Sequence, residues 1–366
     1  MLIEFITPYF YPLQGGIEVV VGNLASLLTT RGHVVIVHTA NKIPNSATIL
    51  PETEKKDGFT IKRYKYIPSY GLFFPKLVHK NSIISMHNYS SLANDYIAFL
   101  YRSHKKTLTP YGTITYDISQ RSHKIFSHVY DTFIGSYTLS NIDNVIAMTN
   151  FEKNKILKKY PKLKDSISVI AAGVSLPTNK FFTSTVLKKY KIDYKYFLSI
   201  GRIGESKRYE DILRILPYYP KYHYILAGED LGYLHFLEDL ATKLQLKDRF
   251  HYVGKISNQE KNALLTKASL FLMPSLAEAF SIASLEAFYF SDCVIAADSG
   301  GLHDLFTQLS GSLYSVGDLN ALKSKITTLL ETPVSLQLKI KRKRIIESTY
   351  SWEAIADKYE NLFKTI

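Results

Sequence analysis

Apolar spacing changes twice in the first forty residues, from a continuous run to a helical period and back. Leu2–Ile6 is a short apolar run, and the prolines of Thr7-Pro8-Tyr9-Phe10-Tyr11-Pro12 mark a loop after it. Ile17, Val20, Val21, Leu24, Leu27 and Leu28 then fall at i, i+3, i+4, i+7, i+10 and i+11, which is one face of a helix. Gly32 supplies a stop, and Val34-Val35-Ile36-Val37 is a second buried run. Strand, glycine-containing loop, helix and strand predict a βαβ unit on a parallel sheet.

The same alternation recurs along the chain. Strand-like runs lie at 82–86, 144–148 and 166–170, with helical patterns from Ser91 and over 150–160, the latter ended by Pro161. Residues 174–195 are polar and lysine-rich, contain Pro177, and predict a linker. A second series has strands at 196–200, 222–226, 250–253, 270–273 and 293–296, with helical patterns between them. Two doubly wound α/β halves are therefore expected. Ligands of such sheets bind at the carboxyl ends of the strands, and here also between the halves.

Length and composition agree with that division. At roughly 100–200 residues per domain, 366 residues suit two domains, and 46% hydrophobic residues exclude a wholly disordered chain. The single cysteine, Cys293, excludes an intrachain disulfide and a zinc–cysteine cluster, which fits a cytosolic setting. No run reaches the roughly 18 apolar residues of a membrane span. Met1-Leu2-Ile3-Glu4-Phe5 carries an acid in place of a basic leader and reads as a core strand. Charge is uneven: residues 1–180 hold 21 Lys and Arg against 11 Asp and Glu, and residues 181–366 hold 24 against 21. A basic half is either a solvated lysine-rich surface or one that meets nucleic acid, anionic lipid or a phosphorylated substrate. Its densest clusters are 102–106 and 153–164; the second places Lys155, Lys158, Lys159 and Lys162 on one side of a helix. No nucleic-acid motif accompanies them, so nucleic acid is not expected as a partner.

Three segments carry candidate chemistry. Gly15-Gly16 lies between a strand and a helix start, where a backbone can approach an anion, or make a plain tight turn. It is not the G-x-G-x-x-G of a dinucleotide-binding dehydrogenase. Gly201-Arg202 follows a strand, with Lys207 five residues after Arg202; the two cations could clamp a diphosphate or be solvated charges. In the segment Pro274 to Ala287, Ser281 can cap a helix that carries Glu286, while Glu278 lies in the loop before it. Loop and helix carboxylates there suit sugar hydroxyls and a ribose diol, though Glu278 could equally be a structural cap.

Together these segments resemble the retaining glycosyltransferases with the two-domain GT-B fold, a group that includes sucrose synthases and bacterial mannosyltransferases. The resemblance runs nearly end to end. Residues 9–18 look like that family's N-terminal glycine loop, and Gly201-Arg202 with Lys207 matches its GR-x4-K pattern. Ala227-Gly228-Glu229-Asp230 and Val253-Gly254 fall where it contacts the nucleotide. Glu278 and Glu286 form its E-x7-E pair, and Ser299-Gly300-Gly301 matches its glycine turn near the donor. Ser351-Trp352-Glu353 opens a terminal helix like the one that crosses back onto the N-terminal domain.

The resemblance implies an α/β fold of the GT-B type, with two Rossmann-like domains facing each other across a cleft. It places an acceptor domain at 1–175, joined by the terminal helix 351–366, and a nucleotide-sugar domain at 190–350. It implies Arg202, Lys207 and Glu278 as catalytic residues, the cations on the diphosphate and Glu278 on the sugar. Gly15, Gly16, Gly201, Gly254 and Gly300 approach the donor, and Glu286 holds its ribose. Tyr111 falls on the acceptor side, and His87, ending another strand, either lines that side too or is a structural residue. Tyr111 replaces a common His after Thr109-Pro110, Ala279 and Ser281 replace two glycines, and His303-Asp304 stands where a Glu is usual. The implied reaction moves a hexose, with retention, from a UDP- or GDP-linked donor to a glycan or lipid-linked acceptor, without metal or other cofactor. The basic balance of residues 1–180 and the 153–164 lysine face add the expectation of a cytoplasmic protein, peripheral on the inner face of an anionic membrane. A sugar-phosphate synthase, or a non-catalytic nucleotide-sugar-binding subunit, is the competing reading on the same scaffold.

Overall fold

The computed structural model describes the whole chain except residues 14, 44–46, 68–72, 78–80, 113, 115–127, 177–182 and 333. It divides into two compact units, one of Met1–Gly173 with Trp352–Ile366, the other of Val174–Ser351.

The first unit is built on β1 (Leu2–Ile6), β2 (Val34–Ala40), β3 (Thr53–Lys56), β4 (Phe59–Tyr64), β5 (Ile83–His87), β6 (Lys105–Thr109), β7 (Asn144–Ala147) and β8 (Ile167–Val169). Among the described residues these form one sheet in the order β3-β4-β2-β1-β5-β6-β7-β8, parallel except for β3 against β4. The central strands are apolar and buried because helices cover a parallel sheet on both faces. The edge differs. β3 is polar throughout, β4 alternates buried and half-buried positions, and the two turn at Asp57-Gly58, both at positive φ, a two-residue hairpin. β6 begins with two lysines. Lys106 is nevertheless buried, its ammonium donating to the carbonyls of Tyr101, Arg102 and His104 at 3.0, 3.2 and 2.6 Å. One cation of the 102–106 cluster is thus withdrawn from any partner.

The terminal helix Trp352–Thr365 buries Trp352, Ile355, Ala356, Tyr359 and Phe363 in this first unit. Arg31, at the end of the helix Gly16–Thr30, pairs with Asp357 at 2.8 Å and Glu360 at 3.1 Å.

The second unit contains β9 (Lys195–Ile200), β10 (Tyr222–Ala227), β11 (Phe250–Tyr252), β12 (Leu270–Met273), β13 (Val294–Ala297) and β14 (Ser312–Tyr314), all parallel, in the order β11-β10-β9-β12-β13-β14. Chain order runs outward from β9 on one side and from β12 on the other. The topological switch point, where open α/β sheets bind ligands, therefore lies at the carboxyl ends of β9 and β12. In the first unit it lies at β1 and β5. The expected linker over 174–195 lies partly outside the described residues. Of the rest, Val174 bridges to Ser351, and the helix Thr183–Lys189 ties to the second unit through Lys189 and Glu260. Among the described residues no helix is long and apolar enough to cross a membrane.

Candidate functional site

In the second unit, every segment singled out from the sequence emerges from the carboxyl end of a strand. Gly201-Arg202 follows β9, Gly228 follows β10, Gly254 lies just beyond β11, the Glu278 loop follows β12, and Ser299-Gly300-Gly301 follows β13. Backbone bonds lock these loops together. Gly201 N–H donates to Ala227 O at 2.9 Å, Gly228 N–H to Gly254 O at 2.9 Å, and Leu276 N–H to Ser206 O at 2.8 Å. Gly228 has φ +145°, and a β-carbon on it would stand 1.8 Å from the carbonyl oxygen of Gly201.

Lys207 and Glu278 form an ion pair, although 71 residues separate them. Lys207 stands in the short 3-10 turn Glu205–Lys207 after β9. Glu278 is held from three sides. Ser275 donates its hydroxyl to Glu278 Oε1 at 2.8 Å, and Ser299 Oγ donates to the carbonyl of Ser275 at 2.7 Å. Gly301 N–H donates to the carbonyl of Glu278 at 2.8 Å. Gly300 has φ +57°, and a β-carbon there would lie 2.2 Å from Glu278 O, so only glycine fits. A carboxylate and an ammonium are thereby placed together at the switch point. Arg202 stays exposed and makes no hydrogen bond or ion pair with any described residue.

Glu286 is placed apart from this pair. It lies in the helix Ile282–Phe290, whose N-cap is Ser281, accepting from Ser284 N–H as the sequence pattern predicts. Ser281 itself has φ +80°, which explains why a glycine is easily accommodated at this position. Glu286 is buried, and its Oε1 is paired with Lys261 Nζ at 2.5 Å. Burial raises its pKa, and Lys261 opposes the rise. Nothing in the sequence relates positions 261 and 286, so the fold alone brings Lys261 to Glu286. Its helix, Asn258–Lys267, is fixed by a capping box between Ser257 and Glu260. Tyr209 is a second unforeseen neighbour. Its buried hydroxyl has no hydrogen-bond partner among the described residues and lies 2.7 Å from where a β-carbon on Gly201 would stand. Its pKa is raised by burial and by the charge of Glu278.

In the first unit, Gly15 caps the helix Gly16–Thr30 through its carbonyl, which accepts from Val19 N–H at 3.0 Å. A β-carbon on Gly16 would meet no atom within 4 Å. His87, at the end of β5, is fully buried. One ring nitrogen is 2.7 Å from Tyr111 Oη and the other 3.2 Å from Ser85 Oγ. Burial pushes its pKa down to about 3, so the imidazole is neutral. His87, expected at the acceptor side, lies inside the first unit, where it holds the half-buried Tyr111. The adjoining Gly112 N–H is held by the buried Glu152 at 2.6 Å, and Met148 N–H by its other oxygen at 2.7 Å. Among the described residues no three His, Cys, Asp or Glu side chains gather as metal ligands.

Comparison with known proteins adds the family. Residues 184–352 match the model of glycosyl transferases group 1, and residues 14–177 that of glycosyltransferase family 4. The chain belongs to the group 1 glycosyltransferases. It is 23% identical to the phosphatidylinositol N-acetylglucosaminyltransferase gpi3 subunit of Schizosaccharomyces pombe, over 99% of this chain and 80% of that protein. It is 27% identical to the O-antigen chain mannosyltransferase RfbU of Salmonella typhimurium, over 56% of each chain. Among solved structures, sucrose-phosphate synthase from Thermosynechococcus elongatus superposes with a TM-score of 0.82 at 20% identity, covering 100% of this chain and 98% of that one. Anabaena HepE, in complex with UDP-glucose, gives 0.76 at 16% identity, covering 100% of both. This group 1 glycosyltransferase thus has the GT-B fold, with two Rossmann-like α/β domains.

Proposed function

We propose that the protein transfers a hexose, with retention of configuration, from a UDP- or GDP-linked donor to a glycan or lipid-linked acceptor. The observation that carries this reading is the Lys207–Glu278 pair, fixed by three loops at the carboxyl ends of β9, β12 and β13. Arg202 and Lys207 take the diphosphate, and their charge stabilises the leaving group as the bond from C1 to the phosphate oxygen breaks. Glu278 receives hydroxyls of the sugar, and Glu286 the ribose through the oxygen that Lys261 leaves unpaired. The acceptor oxygen attacks C1 on the face the diphosphate leaves, and the acceptor proton passes to the departing phosphate oxygen. No metal or other cofactor takes part in this scheme. Gly15 and Gly16 offer backbone to the donor phosphates, and Tyr111 stands on the acceptor side. A relative named as a mannosyltransferase and a neighbour solved with UDP-glucose support the donor class. The relative named as a phosphatidylinositol N-acetylglucosaminyltransferase subunit supports a lipid-linked acceptor; in this scheme the chain works on it at the cytoplasmic face of a membrane.

The test is a thermal-shift panel of UDP-, GDP-, ADP- and dTDP-sugars. A donor at 100 times its dissociation constant adds about 2.7 kcal/mol of stability. One donor class is expected to raise the melting temperature and to be slowly hydrolysed. Stabilisation without any sugar release would instead make the chain a binding subunit.

A further inference from the structure

Six large apolar side chains of the first unit stand in solvent on two neighbouring helical segments. Phe99 and Leu100 end the helix Leu92–Leu100, and Val129, Phe133, Ile134 and Tyr137 lie on segment 128–140. Phe133 is 70% exposed and Phe99 55%. Val129, Phe133 and Tyr137 recur at i, i+4 and i+8, on one helical face. The rings of Phe99 and Tyr137 are 6.1 Å apart, and the Arg102 guanidinium lies over both, at 5.4 and 5.8 Å. The two segments thus present one continuous patch, and soluble surfaces rarely leave such a patch uncovered.

Charge identifies what covers it. Each segment contains one carboxylate, and both are turned inward. Asp95 accepts from Tyr130 at 2.9 Å and from Thr138 at 2.6 Å. Asp131 accepts from Tyr89 at 2.7 Å and pairs with Lys159. Lys159 ends the helix Asn150–Lys159, so the Lys159–Asp131 pair ties segment 128–140 to a helix that carries exposed Lys155 and Lys158 and is followed by exposed Lys162. An apolar centre, a cationic rim and no outward carboxylate on either segment are complementary to an anionic lipid surface. They disfavour a second copy, because a two-fold contact through this face would bring the same cations together.

We propose that this face inserts into an anionic bilayer, with Phe133 and Ile134 below the headgroups and Arg102 and the lysine helix among them. The inference deepens the reading of a lipid-linked acceptor. Vesicle binding needs neither donor nor acceptor, so the two can fail separately.

The experiment is co-sedimentation of the full chain with phosphatidylcholine vesicles, with and without about one third phosphatidylglycerol. It is run at about 0.1 and 0.5 M salt, since added salt screens the cations but not the apolar contact. Wild type should bind the anionic vesicles and keep part of its binding at high salt. Phe133→Ser with Ile134→Ser should weaken that salt-resistant binding at least about tenfold at an unchanged melting temperature. Lys155→Gln, Lys158→Gln and Lys162→Gln together should remove the salt-sensitive part. Phe133→Trp should shift its emission to the blue on binding and be quenched by brominated acyl chains, beyond any response of wild type with Trp352 alone. Complete release of wild type by salt, an unquenched Phe133→Trp, or concentration-dependent dimers abolished by the Phe133 and Ile134 changes would overturn the proposal. The last result would assign the face to a second copy.

Discussion

Replacing Gly300 by alanine tests whether the glycine turn holds Glu278 in place. Position 300 has φ +57°, a left-handed conformation that costs an L-residue about 1 kcal/mol. The new β-carbon would lie 2.2 Å from the carbonyl oxygen of Glu278, and a normal contact needs roughly 1 Å more. The obstacle is backbone and has no rotamer with which to withdraw. Moving it strains the 2.8 Å bond from Gly301 N–H to Glu278 O, whose loss costs about a further 1 kcal/mol. A loss of about 2–3 kcal/mol is therefore expected in denaturant unfolding. The same displacement carries the Glu278 carboxylate away from Lys207, and a shift of about 1 Å in a positioned group costs on the order of 100-fold in rate. Single-turnover sugar release should fall by that factor, while calorimetric affinity for the free nucleoside diphosphate changes less. A Gly300→Ala protein with wild-type stability and turnover would refute the idea that this turn positions Glu278.

Other perturbations separate the remaining parts. Gly16→Ala meets no atom within 4 Å, so stability should hold or rise slightly, while donor turnover falls if phosphates approach that backbone. Lys261→Met leaves Glu286 buried and unpaired and should cost about 3 kcal/mol near neutral pH. Because the folded pKa of Glu286 is already raised and would rise further, this deficit should grow as pH climbs above the ordinary carboxylate value and shrink below it. Adding Glu286→Gln should abolish that pH dependence in urea titrations. Glu278→Gln should lower turnover with nucleoside diphosphate affinity nearly intact. Glu286→Gln should weaken the nucleoside diphosphate by about 1.5–3 kcal/mol, and equal calorimetric losses in the two would show the division of roles to be mistaken.

Much of the fold is legible because a parallel sheet covered on both faces writes its strands as unbroken apolar runs. β2, β9 and β12 contain such runs at Val34–Val37, Tyr196–Leu198 and Leu270–Met273, and the helix Gly16–Thr30 shows its periodicity plainly. The β3–β4 hairpin escapes notice because β3 is Thr-Glu-Lys-Lys, with no apolar residue, and β4 sets only Phe59, Ile61 and the charged Arg63 on its buried side. β6 is hidden by Lys106, whose burial depends on three carbonyls gathered by the turn before it. At the site, spacing reveals residues near each other along the chain and strand ends that share one edge. It does not reveal partners brought in from another helix, such as Lys261 for Glu286, or Glu152 for the Tyr111-Gly112 turn. His87 reads as a strand-end residue; only packing by Phe5 and Tyr111, at ring distances of 5.5 and 5.7 Å, makes it internal.

In the proposed reaction, cations beside β9, with Glu278, carry sugar transfer from a nucleoside diphosphate. The measurement that tests it most directly is single-turnover release of sugar from the donor that stabilises the protein, with EDTA present, for wild type and Lys207→Ala. Removing a preorganised charge from the leaving group should cost about 2.7–4 kcal/mol of transition-state stabilisation, or roughly 100- to 1,000-fold in rate. Wild type should be indifferent to EDTA, and Lys207→Ala should fall by that factor with weakened nucleoside diphosphate binding. A Lys207→Ala protein that turns over normally, or wild-type turnover abolished by EDTA and restored by a divalent cation, would contradict it.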